Sequence, residues 1–176
     1  MSNPALNFDE KARLAALHQY SILDTSPEQI YDDVAALASI ICGTPMSMVT
    51  LLDADRQWFK SALGYEVRET PRNISFCAHT LATARTLIVK DAQQDPRFMD
   101  NPSVTGAPGI RFYAGAPIVE KSGHVLGTVC VIDTTPHSLT PIQVAALEAL
   151  ARHTLALMEM RRTIEASLQS EATAPI

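Results

Sequence analysis

The chain has 176 residues, 47% of them hydrophobic and 19% charged, with a net charge of −5, a length and composition that suit one domain with a sizeable core and exclude disorder over most of its length. The 14 Lys and Arg residues are scattered, which argues against the clustered basic surface that nucleic-acid partners need. Cys42, Cys77 and Cys130 are odd in number and far apart, the pattern of reduced thiols in a cytoplasmic protein rather than of a disulfide framework or a zinc site; with no leader-like N-terminus and no apolar run near the ~20 residues of a membrane span, a soluble protein without membrane partners is expected.

In chain order, a polar tail over 1–8 precedes a domain over 9–166, and a second tail follows over 167–176. Asp9 to Tyr20 reads as a helix with Leu14 and Leu17 on one side and Glu10, Lys11 and Arg13 on another. Ser26, Pro27 and Glu28 form a helix-start signature. The helix they open runs to about Cys42, with Ile30, Val34, Leu37, Ala38 and Ile41 at core spacing and Gly43 as its stop. Met46 to Leu52 and Arg56 to Leu63 form a hairpin about Asp53-Ala54-Asp55, with Trp58, Arg56 and Lys60 on a half-polar face and Phe59 on the other.

Ile74 to Ala84 is compatible with a short helix, Leu87 to Lys90 with a strand, and Asp95 to Asp100 with a helical turn. Asn101 to Gly109 is dense in breakers and reads as a long loop. Ile110 to Glu120 and Val125 to Asp133 form a second hairpin whose last strand is apolar on both faces and therefore central. From Thr140 a helix continues to about Ser167, with Leu147, Leu150, Leu157, Ile164 and Leu168 as a heptad-like seam interrupted by Thr154 and Arg161. It is longer than its own sheet requires, so its distal half is expected to meet a second copy of the chain.

Hairpins separated by helical segments predict an α+β sandwich. Ile22-Leu23-Asp24-Thr25, Arg56-Gln57-Trp58-Phe59-Lys60-Ser61, Ser75-Phe76-Cys77-Ala78-His79, Ile110-Arg111-Phe112-Tyr113-Ala114-Gly115 and Leu126-Gly127-Thr128-Val129-Cys130-Val131-Ile132-Asp133 resemble the GAF domain of bacterial sensor histidine kinases and diguanylate cyclases. The resemblance spans about Arg13 to Met160. It implies an antiparallel sheet of five to six strands, terminal helices on one face that often extend into a dimer bundle, and a ligand pocket roofed by short helices and loops on the other. It also implies a sensory or regulatory domain in signal transduction without its own catalytic output, acting on a kinase or cyclase partner.

The stretch from Thr70 to Ala116 falls on that pocket. Arg111 and Tyr113 share a strand face, where Arg111 could hold a carboxylate or phosphate or else pair internally with Asp91, Asp95 or Asp133. Trp58, Phe76 and Phe98 would supply apolar walls or core packing. Cys77 and His79 form a C-x-H pair, but positions i and i+2 of a helix point about 200° apart, so a buried Cys77 and a hydrogen-bonded His79 that can titrate near neutrality are expected instead of a metal site. Neither a metal nor a bilin is expected. Two alternatives stay open: a thiol enzyme of the free methionine sulfoxide reductase type, and a dimerisation module that binds no ligand.

Overall fold

A computed structural model describes residues 9–172 of the chain. Its centre is a six-stranded antiparallel sheet in the order β3-β2-β1-β6-β5-β4, built from β1 (Met46–Leu52), β2 (Arg56–Leu63), β3 (Glu69–Pro71), β4 (Leu87–Val89), β5 (Phe112–Val119) and β6 (Val125–Asp133). As the double-sided apolar pattern requires, β6 is central and paired with β1 and β5. Helices α1 (Glu10–His18), α2 (Gln29–Cys42) and α4 (Pro141–Ala172) lie over one face, and a single helical turn, α3 (Pro102–Thr105), lies in the segment covering the other. Two separate cores result: Val49, Leu51, Phe112, Ala114, Val129 and Val131 pack under the helices, and Met48, Phe59, Phe76, Phe98, Tyr113 and Cys130 pack under the roof.

The helix face shows where periodicity alone misplaces residues. Arg13 is buried, not on the polar side of α1, because its guanidinium is held by Glu10 at 2.8 Å and reaches the Val125 carbonyl. In α2 the buried stripe is Tyr31, Val34, Ala35, Ala38 and Cys42, whereas Ile30 and Leu37 are 42% and 47% exposed. Both stripes have helical spacing. The small Ala35 and Ala38 allow the closer approach to the sheet, where the Ser47 hydroxyl donates to the Ala35 carbonyl.

Helix α2 also starts later than its cap signature suggests, with Glu28 at the N-cap position and no side-chain cap. Lys60 explains why. Val49 pairs with Ser61 and Thr50 with Phe59, which makes Lys60 the extra residue of a β-bulge. Its fully buried Nζ donates to Thr25 Oγ1 at 2.8 Å, to the Ser26 carbonyl at 2.8 Å and to Glu28 Oε1 at 2.6 Å, and it lies 5.1 Å from the Tyr31 ring centroid. The residues that would cap the helix are thus committed to a buried ammonium.

Helix α4 runs several residues beyond the expected end near Ser167. Leu147, Ala151 and Met158 are in the core, but Met160, Ile164 and Leu168 are more than half exposed. Arg161 marks the change: its Nε donates to Glu28 Oε1 at 3.0 Å and its Nη1 to the Ser21 carbonyl at 3.1 Å, and it pairs with Glu165. The expected tail over 1–8, and the part of the second tail over 173–176, lie outside the described residues.

Candidate functional site

The roof, residues 72–111, is built from side chains that capture its backbone. Where a helix over Ile74 to Ala84 is expected, two short 3-10 turns occur, Arg72–Ile74 and Cys77–Thr80. Thr80 Oγ1 donates to the Cys77 carbonyl at 2.7 Å, and Asn101 Nδ2 donates to the Ile74 carbonyl at 2.8 Å. Ser75 Oγ bonds Gln57 Oε1 on β2. Such bonds compete with a continuous helix. Asn101 also caps α3 by accepting from the Ser103 amide, which turns part of the expected loop into a helical turn.

Beneath the roof, Phe76 stacks on Phe98 with centroids 4.1 Å apart and leans on Tyr113 at 5.1 Å. His79 meets Phe98 edge-on at 4.7 Å. Burial, reinforced by the nearby Arg97 charge, pushes the His79 imidazole below its ordinary pKa, so it stays neutral at neutral pH. The Tyr113 ring lies back along its strand over Gly115, where a Cβ would come within 2.0 Å of the phenol oxygen. Only glycine leaves that space.

Tyr113 uses it to reach Cys77. The Tyr113 hydroxyl donates to Cys77 Sγ at 3.1 Å, as does Thr128 Oγ1 at 3.1 Å, with Thr50 Oγ1 at 3.6 Å and Cys130 Sγ at 3.9 Å. All these groups are buried. Burial raises the Cys77 thiol pKa, but the bonds from Cys130, Thr128, Tyr113 and Thr50 outweigh it and hold the group below the ordinary thiol range. Cys130 is pushed well above that range by its bond to Cys77 and by burial. The pair therefore divides into an acceptor sulfur and a protonated neighbour.

A cavity of about 30 Å³ borders Cys77, Cys130, Tyr113, Phe59, Phe76 and Gln57. This has room for a molecule of about the size of water, far below the several hundred Å³ of ordinary ligand pockets. Two larger hollows lie elsewhere. One of about 340 Å³ opens at the end of β2 between Asp32, Phe59, Ser61, Tyr65, Val67 and Arg68, and one of about 310 Å³ is a groove bordered by Ile30, Leu157, Met160 and Ile164. Phe59 and Tyr65 border both the small cavity and the β2 hollow, so these two rings form the wall between them.

Of the residues singled out by sequence, the structure gathers Phe76, Cys77, His79, Phe98 and Tyr113 under the roof. Trp58 lies on the opposite, helix-covered face beside Leu51, because the polar partners of Lys60 bury a face that reads as half-exposed. Arg111 grips Asp91 with two bonds of 2.7 Å, and this pairing draws the Asp91 carboxyl below its ordinary value. The internal ion pair is thus the arrangement present. Among the described residues no cluster of three or more His, Cys, Asp or Glu could hold a metal. Sequence reasoning did not connect Cys77 with Cys130, 53 positions apart, or single out Lys60 and Tyr65; the thiol pair arises where the Cys77–Thr80 turn of the roof packs on β6.

The family model of the GAF domain matches residues 26–155. A cyclic di-GMP phosphodiesterase of Pseudomonas aeruginosa is 40% identical over 164 residues, which is 93% of this chain but 28% of that enzyme. The GAF domain of a phosphoenolpyruvate-protein phosphotransferase from Coxiella burnetii shares the fold at a TM-score of 0.66 and 16% identity, covering 90% of this chain and 99% of that one. A type II free methionine-R-sulfoxide reductase from Thermoplasma acidophilum is similar at 0.55 and 11%, covering 74% and 96%.

Proposed function

The chain belongs to the GAF domain family, and from that premise we propose that it is a small-molecule-sensing or regulatory domain of bacterial signal transduction without catalysis of its own. Its likeness to a segment of a cyclic di-GMP phosphodiesterase supports an output partner that turns over or makes that dinucleotide; a histidine kinase is the other output partner within this reading. Cytoplasmic location and homodimerisation through the terminal helices belong to the same reading. No helix among the described residues is long and apolar enough to cross a membrane.

The observation that carries the reading is a continuous path from roof to helix. Phe59 borders the small cavity; its neighbour Lys60 is bonded to Glu28; Glu28 is bonded to Arg161 of α4. An occupant that displaces Phe59 therefore bears on the point where α4 leaves the core, and two arrangements of that point give a partner something to read. Because the cavity holds little more than a water, a larger ligand must lift the roof or move Tyr65 aside. A thermal-shift screen over nucleotides, amino acids, organic acids and anions tests this. A ligand that raises the melting temperature of the wild type but not of Phe76→Ala supports sensing, whereas no shift from any class favours a dimerisation module with a filled core.

The 3.9 Å separation of Cys77 and Cys130 favours a second reading, a thiol-dependent reductase. Turnover of free methionine sulfoxide that vanishes in Cys77→Ser would establish it and overturn the first.

A further inference from the structure

We infer that Cys77 and Cys130 form a peroxide-responsive dithiol, oxidised to an intramolecular disulfide by a hydroperoxide small enough to enter the cavity they border. The inference does not depend on the sensing of any metabolite or on catalytic turnover.

Three features of the geometry support it. First, Cys77 Sγ is placed to be an anion, since the hydroxyls of Tyr113 and Thr128 both approach it at 3.1 Å and Thr50 Oγ1 stands at 3.6 Å. Thr50 Oγ1 also lies 3.0 Å from Thr128 Oγ1, so the two threonines can relay one hydrogen bond into the next toward the sulfur. Hydroxyl donors favour the thiolate, which is the nucleophilic form of a thiol. Second, a resolving thiol is at hand, with Cys130 Sγ 3.9 Å away. Third, the cavity of about 30 Å³ touches both cysteines and matches hydrogen peroxide, little larger than water, while excluding bulky oxidants. The third cysteine, Cys42, lies in the core on the other side of the sheet.

The reaction balances in two steps. Cys77 thiolate attacks one oxygen of hydrogen peroxide, the O–O bond breaks, and hydroxide leaves, giving the sulfenic acid at Cys77. Cys130 then attacks that sulfur, and its thiol proton leaves with the sulfenic hydroxyl as water. Each sulfur has been oxidised by one electron equivalent, and both peroxide oxygens are reduced to the level of water. Closing the sulfurs from 3.9 Å to the ~2.05 Å of a disulfide draws the Cys77–Thr80 turn toward β6 and takes the acceptor away from Tyr113. Oxidation would thereby reset the roof.

Reduced wild-type protein is exposed to hydrogen peroxide, unfolded, alkylated with iodoacetamide, and analysed by intact mass and peptide mapping. The expected product carries one alkyl group, at Cys42, and a peptide linking Cys77 to Cys130; dithiothreitol restores three. In Cys130→Ser, unfolding the peroxide-treated protein in urea that contains dimedone should trap a sulfenic acid at Cys77. Three alkylated cysteines after treatment that oxidises the urea-unfolded chain would overturn the inference, as would a linkage involving Cys42. Because the main measurement uses unaltered protein, it holds whether or not the variants fold.

Discussion

Lys60 and Glu28 allow a prediction about asymmetry. In Glu28→Gln the Lys60 ammonium stays fully buried with only the Thr25 hydroxyl and the Ser26 carbonyl, both neutral, as full partners. Leaving a buried charge without its counter-ion costs about 3–5 kcal/mol. In Lys60→Met the apolar chain fills much of the same space, and Glu28, one-third exposed, keeps Arg161 at 3.0 Å. That loss should be about 1.5–3 kcal/mol, the scale of a charge-assisted hydrogen bond. Arg161 retains Glu165 and two carbonyls in either variant, so it does not reverse the order. The double variant should be no less stable than Glu28→Gln alone. Urea unfolding followed by circular dichroism reads these differences, and at roughly 2–4 °C per kcal/mol the melting temperature of Glu28→Gln should fall by about 10 °C. Additive losses, or a larger loss in Lys60→Met, would refute the reasoning.

Acid stability should depend on Glu10. Burial raises its pKa, but bonds from Arg13 and Arg72 bring it from the usual 4.5 down to about 2. Its contribution is therefore complete above pH 4.5 and lost as the pH falls toward 2, and Glu10→Gln should flatten that part of a stability-against-pH curve. Gly127→Ala would set a Cβ 1.9 Å from the Thr50 carbonyl oxygen, so β1 must shift; a loss of about 3 kcal/mol or more is expected in urea titration, beyond ordinary overpacking. Finally, the proposed dimer should dissociate in Ile164→Glu combined with Met160→Glu, both on exposed sites of α4: light scattering is expected to give the monomer mass while circular dichroism stays that of the folded chain.

Much of the fold is legible because its signals are local. Alternation and turn residues locate β1, β2, β5 and β6 almost to the residue. The errors come from partners distant in sequence. Ile30 and Tyr31 begin equally periodic stripes, and only contact with the sheet selects Tyr31. Trp58 reads as half-polar because of Arg56 and Lys60, and nothing local says that Thr25, Ser26 and Glu28 will bury that lysine. The expected helix after Ile74 has the right spacing, but Thr80 and Asn101 spend hydrogen bonds on its backbone and Ser75 is tied to the Gln57 side chain on β2. At the site, the sequence leaves Arg111's partner open and the structure gives it Asp91, while the packing of the roof on β6 makes neighbours of two cysteines that no spacing rule links.

The two outer strands have a consequence for how copies of the chain can meet. Each is only three residues long, and β3 ends in Pro71, which has no amide hydrogen to offer. Neither outer strand offers an incoming strand more than three residues to pair with, which makes each a poor template for strand-by-strand growth between molecules. Association is thereby directed away from main-chain pairing and toward side chains, and the exposed reach of α4 offers Met160, Ile164 and Leu168 for it.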